Sequence, residues 1–236
     1  MAGLGPRDVL AAWEAGSTQD RVRRAATLLA MARGQLDRVG EAAALDVGTR
    51  DVLLAGLLCS VSGGHVPACA DCPGCGVVLD VPVDVAAVAA LPVHEPGERL
   101  SVIVDGTEVP FRLPTTADLI AVVGLPAYQA RAVLLATCLG AEPGSAHAPE
   151  TGAAVEAAME QAAPAGAVDL VVCCAGCGLE SVMPLDVPAL VWAEIEAQVM
   201  ALLQDVHALA TSYGWTEADV LELSPRRRAL YLAMAG

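Results

Sequence analysis

Three features of the sequence predict a helix-rich α+β chain. Aromatic residues make up only 3% of its 236 residues while 55% are hydrophobic, so the core is built from Ala, Val and Leu, a mixture that suits closely packed helices better than an aromatic-rich sandwich. Two cysteine knuckles, Cys72-Pro73-Gly74-Cys75-Gly76 and Cys174-Ala175-Gly176-Cys177-Gly178, stand beside short runs that read as strands. Near the C-terminus, Val191, Ile195, Val199, Leu202, Val206, Leu209 and Tyr213 recur at spacings of three and four, one face of a long helix.

The N-terminal segment, 1–64, reads as helical scaffold. Gly5-Pro6 opens a helix carrying Val9, Leu10 and Trp13, with Gly16 expected as its C′ stop. Ser17 followed by Asp20 resembles a capping box and predicts a second helix with Val22, Ala25, Ala26 and Leu29 on one face. A third is expected from Thr49-Arg50 to about Ser60. The region 65–187 opens with the first knuckle, followed by an alternating strand over Val77 to Val83. Runs at Arg99 to Val104 and Thr107 to Leu113 flank Asp105-Gly106, a two-residue hairpin signal.

The run Leu113-Pro114-Thr115-Thr116-Ala117-Asp118 then reads as a strand end followed by a capped helix start, with helices expected over about Thr116 to Val123, Pro126 to Leu139 and, after a Gly/Pro/Ser-rich loop, Glu150 to Ala162. Val168 to Cys173 is a short strand feeding the second knuckle, and Leu179 to Val187 continues extended. The C-terminal helical unit, 188–236, holds the long helix stopped by Gly214, a short capped helix at Trp215 to Asp219, and a last one opened by Ser224-Pro225. The three segments are expected to form one compact unit.

Net charge is −15 with no lysine, all 13 basic residues being arginine. Such a surface repels phosphate backbones and anionic headgroups, which argues against nucleic-acid and membrane partners. The local exception is Arg226, Arg227 and Arg228, whose cations oppose the dipole at a helix start and invite an acidic partner. The first residues lack the basic start and apolar core of a secretory signal, and no apolar run reaches the roughly 20 residues of a membrane span. A cytoplasmic protein is expected. Eight cysteines in such a chain point to metal ligands or buried thiols before disulfides.

The chemistry lies in the knuckles. Two thiolates separated by two residues grip one face of a metal, and the following glycine permits the left-handed turn that aims amide N–H groups at sulfur. Cys72, Cys75, Cys174 and Cys177 therefore predict a tetrahedral structural zinc site, and the fold class becomes a split four-cysteine zinc ribbon with an inserted β-hairpin and helices, flanked by N- and C-terminal helices. A closed shell of four thiolates leaves no open position for catalysis. Cys69 and Cys173 adjoin the knuckles without a following glycine and are read as bystanders, and Cys59 and Cys138 as core.

Among the histidines, His65 alone could substitute as a ligand; His94, His147 and His207 are isolated. No nucleophile and base, phosphate loop or metalloprotease helix is recognisable, so no catalytic residue is assigned. The residues leave three functional readings open: a binding protein stapled by zinc, a zinc-ribbon module that regulates or binds nucleic acid, and a CxxC thiol oxidoreductase. The last is disfavoured because neither motif precedes a helix that would lower a thiol pKa.

Several segments together resemble a known family. They are Thr49-Arg50-Asp51 with its Leu-rich continuation, the knuckle at Cys72 to Gly76, Phe111-Arg112-Leu113-Pro114-Thr115-Thr116-Ala117-Asp118-Leu119 and the second knuckle. The ending adds Asp205-Val206-His207-Ala208-Leu209-Ala210, Tyr213-Gly214-Trp215-Thr216-Glu217-Ala218-Asp219, and Leu223-Ser224 with Arg227-Arg228 and Tyr231-Leu232. The chain resembles bacterial proteins similar to the T4-type phage baseplate hub assembly protein, found in gene clusters of phage-tail-like contractile injection systems. Ala175 departs from the pattern by standing where the knuckle would carry proline.

The resemblance implies a non-enzymatic baseplate component or assembly factor, bound to protein subunits of the baseplate or hub, with no small-molecule substrate. Trp215, Tyr231, Arg226, Arg227 and Arg228 are the candidate partner-binding residues, since aromatic anchors beside forked donors are the types enriched at interface hot spots.

Overall fold

A 27-residue helix, α9 (Val187–Tyr213), is the spine of the molecule. At 1.5 Å per residue it runs roughly 40 Å, opened by Asp186, whose carboxylate accepts from the Ala189 amide, and closed by Gly214. The computed structural model describes residues 5–141 and 148–235.

Against α9 pack α1 (Pro6–Ser17), α2 (Arg21–Ala32) and α4 (Val47–Ser62). Their shared core holds Val9, Ala12, Leu28, Leu29, Leu54, Leu58, Val191, Trp192 and Ile195. The short α3 (Val39–Ala43) links α2 to α4. The base of the hairpin formed by β1 (His65–Asp71) and β2 (Val78–Asp84), followed by α5 (Val85–Ala89), adds Val66, Val83, Val85 and Val88 to the same core. That core is thus drawn from all three sequence segments.

The chain then makes a second antiparallel hairpin, β3 (Leu100–Val104) with β4 (Thr107–Phe111), turned at Asp105-Gly106 with both residues at positive φ. Helices α6 (Thr116–Ala121), α7 (Ala127–Leu139) and α8 (Pro149–Ala162) follow, and Phe111, Leu113, Val155 and Ala163 form a separate small core there. A third hairpin, β5 (Asp169–Cys173) with β6 (Glu180–Pro184), leads into α9, and α10 (Glu217–Leu221) and α11 (Pro225–Ala235) fold back onto its C-terminal half. The two capped starts expected from sequence are formed, as capping boxes between Thr115 and Asp118 and between Thr216 and Asp219.

Four expectations are corrected. Gly16 lies inside α1, not beyond it, because it faces Trp192: a Cβ there would stand 2.7 Å from the indole Cζ3. The second helix is capped by Asp20, whose carboxylate accepts from the Val22 and Arg23 amides, whereas Ser17 donates to the Glu14 carbonyl and ends α1. The third helix begins earlier, with Asp46 as its cap accepting from Thr49 N–H at 2.9 Å. Strand β1 precedes the first knuckle, which therefore sits at the tip of a hairpin and not before a lone strand.

Inside the fold, Arg50 and Asp51 form a two-pronged ion pair with N···O distances of 2.7 and 3.1 Å, both side chains nearly out of solvent. Arg50 also reaches the Thr116 hydroxyl at 3.4 Å. The Thr49-Arg50-Asp51 segment and the Phe111 to Leu119 segment, distant in sequence, meet here.

Candidate metal centre

Each knuckle is built by backbone hydrogen bonds that its own hairpin supplies. The Cys72 amide donates to the Val77 carbonyl at 2.9 Å and the Gly76 amide to the Cys72 carbonyl at 2.8 Å. The second knuckle repeats both bonds at the same lengths, Cys174 to Leu179 and Gly178 to Cys174. Gly76 and Gly178 have φ of 72° and 75°, a conformation in which a Cβ would collide with the following carbonyl. Glycine after the second cysteine is therefore a backbone requirement, met twice.

The two tips face each other as a pseudo-two-fold pair. The sulfurs of Cys72 and Cys177 are 3.7 Å apart, as are those of Cys75 and Cys174, and all four Sγ atoms lie within 4.8 Å of one another. Cys72 and Cys174 are buried, Cys75 and Cys177 exposed. Each tip also seats on the residue after the other knuckle: a Cβ on Gly74 would stand 2.8 Å from Leu179 Cδ2, and one on Gly176 would stand 3.6 Å from Val77 Cγ1. Behind the sulfurs, Leu79 and Val81 of β2 meet Leu170, Val172 and Met183 of the other hairpin in a small apolar floor. Sequence reading missed this floor and the Leu179 and Val77 contacts, although the alternation Leu79, Val81, Val83 carries the signal for half of it.

The thiols of the cluster are pulled in opposite directions. The amides of Cys75 and Gly74 point at Cys72 and pull its thiol down to about 6. At Cys177 the Leu179 amide favours the thiolate, but crowding by Cys174, Cys75 and Cys72 outweighs it and pushes the thiol up to about 12. Cys75 is likewise raised, the pull of the Val77 amide being outweighed. Four sulfurs this close cannot all ionise unless a positive charge stands among them. The four cysteines can hold a metal ion.

No family model matches the chain, and neither does any curated protein or solved structure.

The remaining candidates lie elsewhere. Cys69 is exposed on the outer face of β1 with its sulfur 3.7 Å from Asp80 Oδ1, and Cys173 is exposed with its sulfur 3.9 Å from the Gly178 carbonyl. Cys138 is buried, which pushes its thiol up to about 11, and Cys59 is half-buried. His65 pairs with Asp84 at the opposite end of the hairpin from the knuckle. His94 is engaged by the Ala162 carbonyl at 2.9 Å and by Glu98 at 3.1 Å. His207 is exposed on α9, and His147 lies outside the described residues.

In the C-terminal unit, Trp215 stacks on Tyr213 with centroids 4.9 Å apart and meets Tyr231 edge-on at 4.8 Å. The Tyr213 hydroxyl donates to the Tyr231 carbonyl at 3.3 Å. Trp215 and Tyr231 are thus half-buried members of an aromatic trio that fastens α11 to α9. Arg228 pairs with Asp205 at 2.9 Å, whereas Arg226 and Arg227 are exposed.

Proposed function

We propose that Cys72, Cys75, Cys174 and Cys177 hold one structural zinc ion, and that the chain is a non-enzymatic baseplate component or assembly factor of a phage-tail-like contractile injection system. The observation that carries the metal reading is the sulfur spacing. Zinc–thiolate bonds of about 2.3 Å set tetrahedral sulfurs about 3.8 Å apart, and the cross-knuckle separations are 3.7 Å. When bound, the ion would neutralise the thiolates and tie the hairpin leaving the N-terminal helices to the hairpin entering α9. Four sulfurs fill the shell, so the role is to staple and not to activate water or substrate.

The baseplate reading rests on the sequence resemblance, and the C-terminal helices are its recognition unit. The regulatory, nucleic-acid-binding alternative is opposed by the outer faces of the two ribbon hairpins, which expose Asp71, Asp80, Asp84, Asp169 and Glu180. The oxidoreductase alternative is opposed by the knuckles' position at hairpin tips, away from any helix start.

The test is affinity capture of the tagged chain from cells that assemble the particle. Baseplate or hub subunits should co-purify, and less so with the Arg226→Glu/Arg227→Glu variant at unchanged melting temperature. Particle-assembling cells that yield no such subunit would overturn the reading.

A further inference from the structure

Arg228 is the member of the arginine triplet drawn into the fold. Its Nε forms an ion pair with Asp205 Oδ2 at 2.9 Å and its side chain is 13% exposed. Its Nη1 is buried without a hydrogen-bond partner, the one such side-chain atom among the described residues. Buried donors are nearly always satisfied, and a guanidinium fork can serve two carboxylates from its two sides. Here one side is taken by Asp205 and the other is left over.

The same side chain lines a cleft of about 270 Å³ between α1, α9 and α11, walled by Pro6, Val9, Ala201 and Leu202. Arg226 and Arg227 stand exposed on the first turn of α11 and join no ion pair among the described residues. The cleft therefore combines apolar residues with Gln198, Asp205 and Arg228, whose unpaired nitrogen is buried, while two exposed cations stand on the helix that borders it, in a chain of net charge −15.

We propose that this cleft receives an acidic residue flanked by apolar side chains on a protein partner, its carboxylate taken by Arg228 and steered in by Arg226 and Arg227. The inference rests on the reading of the C-terminal helices as the recognition unit and gives that unit its ligand chemistry. A carboxylate between apolar neighbours matches the wall and the fork together. A phosphodiester chain matches less well, since it offers nothing apolar to Pro6, Val9, Ala201 and Leu202.

The test uses the full chain and a named probe, the peptide acetyl-Leu-Glu-Leu-amide, titrated into nitrogen-15-labelled protein while the Arg228 Nε–H signal and the Ala201 and Leu202 amides are followed by NMR. Saturable shifts at these positions are expected. Added salt should weaken binding, and a peptide carrying Gln for Glu should bind about tenfold more weakly. Arg228→Gln should abolish the shifts; because that change alone could loosen α11, Arg226→Gln/Arg227→Gln serves beside it and should weaken binding severalfold with the Arg228 signal in place.

Equal binding of the Gln peptide, or shifts confined to other surfaces, would overturn the proposal. Absence of peptide binding while baseplate subunits co-purify would overturn this inference alone. Binding of the peptide with no co-purifying baseplate subunit would support the cleft and remove the baseplate reading.

Discussion

Cys72 and Cys177 are 105 positions apart in the chain and 3.7 Å apart at their sulfurs. Between them lie β2, α5, the β3–β4 hairpin, α6, α7, α8 and β5, so whatever joins the two knuckles closes a long loop that contains nearly half of the elements of the fold. The hairpins share no strand pairing, each being a separate two-stranded sheet. The sulfurs, the small apolar floor and the seating of Gly74 on Leu179 and of Gly176 on Val77 hold the tips together, and an isolated two-stranded hairpin is marginal in water. The cluster thus joins two hairpins that pair no strand with each other.

The contact between Gly74 and Leu179 is testable by itself. Gly74→Ala places a Cβ 2.8 Å from Leu179 Cδ2, at the end of a side chain that can turn aside. A loss of about 1 kcal/mol is expected. Gly76→Ala and Gly178→Ala each force a side chain into the left-handed region and should cost about 1–2 kcal/mol. Urea titrations of the three variants check both; a Gly74→Ala protein as stable as wild type would mean that the tips do not touch in solution.

Gly16 packs against the Trp192 indole, so Gly16→Val should destabilise the protein by about 1–3 kcal/mol through overpacking. Chemical denaturation followed by tryptophan fluorescence reads it directly. Gly16 lies within α1 and not at positive φ, so backbone strain adds nothing to that loss.

Asp51 is buried beside Arg50, its carboxyl raised by burial against the pull of the guanidinium. Asp51→Ala leaves that guanidinium buried and unpaired, and should cost about 3–5 kcal/mol. The double variant Arg50→Met/Asp51→Ala should recover most of the loss. Equal destabilisation in both proteins would show that the pair contributes by packing alone.

His94 is held above its ordinary pKa by the Ala162 carbonyl, against burial, and by Glu98 and Asp46. Both ring nitrogens face acceptors, so the doubly protonated ring is the better fit. A raised folded pKa gives stability that is fully present below the unfolded value of about 6.5 and is lost as pH rises through the folded value. The stability difference between wild type and His94→Gln, measured from about pH 5 to about pH 8, should shrink as pH rises. A difference that grows with pH would refute the assignment.

Local signals were legible where one short stretch decides the outcome. The Asp105-Gly106 turn, the Thr115–Asp118 and Thr216–Asp219 boxes and the Gly214 stop each depend on neighbours in sequence. The four cysteines were legible because the CxxCG spacing states its own backbone requirement. What escaped depends on distant partners: β1, with Pro67, Cys69 and three small or short residues around them, is a strand because Val81 and Val83 of β2 pair with it. Gly16 cannot be told from a stop until Trp192 arrives, and Arg228 reads as a free cation until Asp205 takes its Nε. Ser17 and Asp20 compete for one cap, and the winner is set by where α1 must end to pack on α9.

Metal content by elemental analysis, on protein purified without added metal, tests the account most directly. One zinc per chain is expected, retained by Cys69→Ser and Cys173→Ser, and lost in Cys72→Ser and Cys177→Ser together with several kcal/mol of stability or the folded state itself. Folded protein that carries no metal, or a Cys177→Ser variant that keeps both its zinc and its stability, would contradict it.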